Sequence, residues 1–83
     1  MKLHLSENKI YVDGYLSRLV KLNNKLVIAF GCKNFTLEQL QFLHELTVDS
    51  KMQAEIWIAH THISKQHIER LINILNFAKE HEK

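Results

Sequence analysis

Residues 54–63 read AEIWIAHTHI, and the fold turns on whether this stretch is a strand or a helix. Ile56, Trp57 and Ile58 are β-branched or aromatic, side chains that suit a pleated, half-buried surface. As a strand, EIWIAH (residues 55–60) can pair with KLVIAF (residues 25–30) across the segment between them. The C-terminal part then becomes a βαβα unit, the seed of an α+β domain. Wound as a short helix, the same residues turn Trp57 and Ile58 inward, and the chain becomes a four-helix domain with a helix-turn-helix inside it.

The flanks carry clearer signals. Downstream, Ser64 is a good N-cap. Ile68, Leu71, Ile72, Leu75 and Ala78 follow at helical spacing as a buried face. Lys65, Gln66, Glu69, Arg70, Asn73 and Asn76 fall on the open face. Upstream, Thr36 and Gln39 stand in the N-cap and N3 relation of a capping box, and Phe35 and Leu40 in that of a hydrophobic staple. Leu40, Leu43 and Leu46 line one face, so FTLEQLQFLHEL is a helix. Earlier still, Val12, Leu16, Leu19, Leu22, Leu26 and Phe30 form a stripe with steps of three and four. That stripe predicts a long helix over 11–30, stopped by Gly31. The rival reading is a hairpin, YLSRLVKL and KLVIAF joined by Asn23-Asn24, since asparagine tolerates positive φ.

The totals suit one small domain over residues 1–83. The chain is 46% hydrophobic and 24% charged, ordinary globular values. Proline is absent and glycine occurs only at 14 and 31, so no Gly-rich phosphate loop exists. A net charge of +2 permits nucleic-acid binding without arguing for it. The single Cys32 makes no internal disulfide and suits a reducing cytoplasm. No apolar run nears the roughly 18 residues that span a membrane, and the start has no signal-peptide core. The expectation is a soluble cytoplasmic protein without membrane contact. A domain this small has a thin margin of stability, which favours a homodimer.

Two phrases resemble MarR-type winged-helix transcription regulators. FTLEQ (residues 35–39) is similar to the family's LT-x-x-Q, which follows a long first helix. SKQHIERLINIL (residues 64–75) is similar to its recognition helix, S-K-x-x-V-x-R-L-x-x-x-L. The resemblance spans about residues 14–78. It departs at Ile58, where the family has a small residue, at Thr61 in place of the leucine before the turn, and at His62 in place of a small turn residue. The chain stops where the family's wing and C-terminal dimerisation helices begin, so the resemblance is to a truncated form. It implies a mostly α domain of about four helices that binds DNA through a helix-turn-helix.

That chemistry needs polar side chains near the N-terminal end of a helix in the major groove. Lys65, Gln66, Arg70 and Asn73 are of the right types, with Thr61, His62 and Ser64 at the helix mouth to hold a phosphate. The plainer reading is a solvated helix face, which Glu69 beside Arg70 supports. His60, His62 and His67, with Cys32 or His44, are zinc-type ligands, but H-x-H-x4-H matches no common structural zinc spacing. Cys32 lacks the setting of a nucleophile, and Glu38 and Glu45 lack one that would raise a carboxyl pKa. No catalytic residue, metal or cofactor is therefore assigned. Trp57, Tyr11 and Tyr15 anchor either the core or an interface. The first expectation is a DNA-binding regulator. The alternative is a non-enzymatic protein-interaction module (inhibitor, antitoxin-like or immunity-like) with an α+β fold, which needs an exposed apolar patch.

Overall fold

The computed structural model describes residues 9–12, 15–31, 33–51, 53–58 and 60–81, and of residues 9–12 and 15 the backbone alone. The order of elements is β1 (Lys9–Val12), β2 (Tyr15–Leu22), β3 (Lys25–Phe30), β4 (Lys33–Phe35), α1 (Leu37–Val48), β5 (Ile56–Ile58), β6 (Thr61–Ile63) and α2 (Lys65–Glu80). The strands form two antiparallel sheets, a four-stranded meander β1-β2-β3-β4 and the hairpin β5-β6. The fold is α+β. This overturns the four-helix expectation, and with it the helix-turn-helix, in two places.

The first correction is the long helix over 11–30. Leu22 pairs with Lys25, which leaves Asn23 and Asn24 as a two-residue turn with φ of 50° and 65°. Positive φ at both central positions is the geometry that matches the twist of a hairpin, and asparagine bears it better than other side chains. Asn24→Ala is expected to lower the unfolding free energy by about 1 kcal/mol, read as a shift of the urea midpoint. A change indistinguishable from zero would mean the turn does not select this conformation. Gly31, expected to stop a helix, instead opens the β3–β4 connection at φ 63°. Cys32 lies outside the described residues.

The second correction is 54–63. Ile56 pairs with Ile63 and Ile58 with Thr61, the chain reversing at His60 with φ 67°. The stretch is a hairpin of its own. Its first strand does not pair with KLVIAF, so the βαβα pairing of the alternative reading is also corrected.

Both helix starts are where the caps place them. Thr36 Oγ1 accepts from Gln39 N (3.2 Å) while the Gln39 side chain accepts from Thr36 N (2.9 Å), a complete capping box. Ser64 Oγ accepts from His67 N at 3.1 Å. Helix α1 ends at Asp49, whose carboxylate accepts from Lys51 N and whose carbonyl accepts from Gln53 N.

One apolar cluster joins these elements. Leu19, Leu26, Ile28 and Phe30 enter it from the meander, Leu40 from α1, and Ile56, Ile58 and Ile63 from the small hairpin. Helix α2 adds Ile68, Leu71, Leu75 and Ala78. The helices thus cover one face of the meander, and α2 packs between α1 and β3.

Candidate docking surface

The six residues expected to read DNA are not presented as one set. Thr61 is half-buried and pairs with Ile58 on the inner side of the hairpin. Ser64 is occupied as the cap of α2. Lys65, Gln66, Arg70 and Asn73 are exposed along α2. Asn73, however, faces a groove between the helices, with Gln41, His44, Glu45, Glu69 and Ile72 as the other lining residues. The element before α2 is a hairpin. A helix that would brace α2 across a DNA backbone does not precede it, so the device implied by the resemblance is missing. Residues 35–39 and 64–75 share with that family the signals of a helix start.

The histidines do not converge. His60 and His62 are exposed, while His67 is buried with its ring 5.9 Å from that of Phe30. Among the described residues no three His, Cys, Asp or Glu side chains come together as metal ligands. Nor is any helix among them long and apolar enough to cross a membrane.

Of the three expected interface residues, the structure places one in the open. Strict alternation along β5 buries Ile56 and Ile58 and turns Trp57 outward, where it is 60% exposed. Its cross-strand partner is His62, and their rings tilt together at 5.3 Å. The three isoleucines beneath fix this pair to the core, so a large aromatic surface is held at low cost in mobility. Tyr11 and Tyr15 occupy register positions on β1 and β2 opposite Leu16 and Val12. Their side chains lie outside what the structure describes.

Sequence reasoning missed two features. The first is His44 Nε2, which donates to Glu69 Oε2 at 2.8 Å and ties α1 to α2. The pair is 25 residues apart, so only the polar edge of each helical stripe hinted at it. The second is Phe42, 59% exposed, beside an apolar groove of about 360 Å³ lined also by Phe35, Glu38, Gln39 and Leu43.

The Glu38 carboxyl at this groove is held below its ordinary pKa. The backbone N–H at the start of α1 is the main cause; desolvation opposes it, and Thr36, Lys79 and Lys25 add smaller lowering effects. A depressed folded value means that the charged form stabilises the fold. That contribution is complete above the unfolded value near pH 4.3 and is lost as pH falls through the lower folded value. Glu38→Gln should therefore be less stable than the parent at neutral pH, and the two urea midpoints should converge in acid. A gap that stays constant with pH would remove the electrostatic account.

A scan of protein-family models, the curated proteins and the solved structures finds no match to this chain.

Proposed function

We propose that the chain is a cytoplasmic, non-enzymatic interaction module that works by docking on another protein. The carrying observation is Trp57, 60% exposed on a hairpin whose inner face is locked into the core. Tryptophan contributes more to interfaces than most residues, and a rigid, exposed one meets a partner with little entropy left to lose. The α+β fold is the one this reading expects, and it needs no polar code on α2. The single cysteine fits a reducing compartment.

The test is comparative capture. Immobilised wild type and Trp57→Ala are exposed to the same lysate at physiological salt, and bound proteins are quantified. A protein retained by the wild type and lost from the variant supports the reading. Retention profiles that coincide would sink it.

A further inference from the structure

Helix α1 leaves most of its apolar side chains outside the core. Six of its twelve residues are apolar, and of these Leu40 alone is buried. Helix α2 buries Ile68, Leu71, Leu75 and Ala78. Leu40 points into the cluster, and on the α2 side of it His44 is tied to Glu69. The opposite flank carries Phe42, Leu43 and Leu46, neighbours at helical spacing. Leu43 and Leu46 are half-buried, and Phe42 is 59% exposed. The apolar groove of about 360 Å³ lies on this flank, walled by Phe35, Phe42 and Leu43 and rimmed by Glu38 and Gln39.

The outer rim of this flank changes sign along the helix. At the N-terminal end, Glu38 shares a hollow of about 130 Å³ with Lys25 and Lys79, two bases to one acid. At the C-terminal end stand Glu45 and Asp49, both exposed. They follow Phe42 by three and seven residues, and Glu38 precedes it by four, so all three share its outer side. The last turn of α1 holds no base, and Lys51 comes only beyond the cap. Carboxylates there face the negative end of the helix dipole, where cations are favoured. Phe42 lies between the two rims, with five residues of α1 before it and six after.

We propose that two copies of this chain pair through α1, antiparallel about a two-fold axis at Phe42. The operation lays each Phe42 over the groove of the other copy, the self-fit that an isologous interface requires. With Phe42 at mid-helix, the two helices overlap along their full length of about 18 Å. The same operation sets Lys25 and Lys79 of one copy over Glu45 and Asp49 of the other, twice. A uniformly basic helix laid on this flank would meet the two lysines, and a uniformly acidic one the two carboxylates. A surface that carries both signs in reverse order fits, and a second copy carries it. One helix per copy makes a small interface, so the dimer exchanges with monomer. The pairing goes beyond the docking reading and uses a surface other than the Trp57 hairpin.

The experiment is sedimentation of the full chain over a concentration series. The wild type should pass from monomer to dimer below about 1 mM, and Phe42→Ser should weaken dimerisation at least about tenfold. Trp57→Ala should dimerise as the parent does. Lys79→Glu and Asp49→Lys should each self-associate less than the wild type, since each sets like charges together at both ends of the pair. Mixed in equal amounts they should form a heterodimer, because the contact between positions 79 and 49 then joins opposite charges at both ends. Circular dichroism checks the fold of each variant, and Lys25→Glu replaces Lys79→Glu if that one unfolds. A wild type that stays monomeric throughout overturns the pairing, as does a dimer that survives Phe42→Ser or that Trp57→Ala abolishes. Charge variants that dimerise unchanged, or a mixture that pairs no better than its components, overturn it too. So does a monomeric chain that captures another protein and loses it on Phe42→Ser, which assigns the flank to a foreign partner.

Discussion

Leu75→Ala is expected to lower the unfolding free energy by about 3 kcal/mol, within the range of roughly 2–5 for truncating a buried leucine. Leu75 has no exposed surface and sits in the one cluster that joins α2 to α1, the meander and the small hairpin. Truncation removes its transfer free energy and leaves a cavity that three elements must relax together to fill. A domain of this size holds a margin near the low end of about 5–15 kcal/mol, so more than a third of it is at stake. The melting temperature should drop by about 12–24 °C, at 4–8 °C per kcal/mol for a chain of this length. Urea denaturation should show a lower midpoint with an unchanged slope, the sign of lost stability without a change in exposed area. Ile72, half-buried on the rim of the same helix, serves as the comparison, and Ile72→Ala should cost clearly less. Equal losses at 72 and 75 would mean that α2 is not anchored through this face.

Such a core was legible in part. On α2 the buried stripe was readable from spacing, because a capped helix with period 3.6 leaves little room for another reading. On 11–30 the same spacing misled. Val12, Leu16, Leu19, Leu22, Leu26 and Phe30 do fall on a helical stripe, yet the structure buries Leu19, Leu26 and Phe30 on one face of a sheet and leaves Leu16 and Leu22 on the other. KLVIAF carries five consecutive apolar residues, and a run buried on both faces has no period to distinguish strand from helix. What separated the two was turn chemistry. Asn23-Asn24 lies about ten residues after Asp13-Gly14 and eight before Gly31-Cys32, a spacing of turn pairs that suits a meander. For 54–63 the side chains favoured a strand, but its partner was misassigned. Pairing with KLVIAF needed a crossover, whereas reversal at His60 needed one residue with positive φ. The exposed Trp57 followed from strand alternation alone once that hairpin was accepted. The His44–Glu69 pair depends on tertiary placement and had no local signal.

Trp57 carries the second large effect, and there stability and binding should part. With 60% of its surface already in water and one ring contact to His62, Trp57→Ala removes little that folding uses. Its unfolding free energy should fall by less than about 1 kcal/mol, the value of an aromatic pair plus a modest area. Ile58, on the inner side of the same strand and 9% exposed, should show the reverse, with a loss of about 2 kcal/mol or more on truncation to alanine. Against the partner retained in the capture experiment, Trp57→Ala should weaken binding by at least about 2 kcal/mol, close to thirtyfold, as truncation of a central aromatic anchor does. Most of that change should appear in the dissociation rate, since the contact forms after encounter. The contrast is what makes the measurement decisive: a fold defect at Trp57 would lower stability and binding together, and a passive surface residue would change neither. Only an anchor held out by the core, and not used by it, loses binding while the fold stays whole.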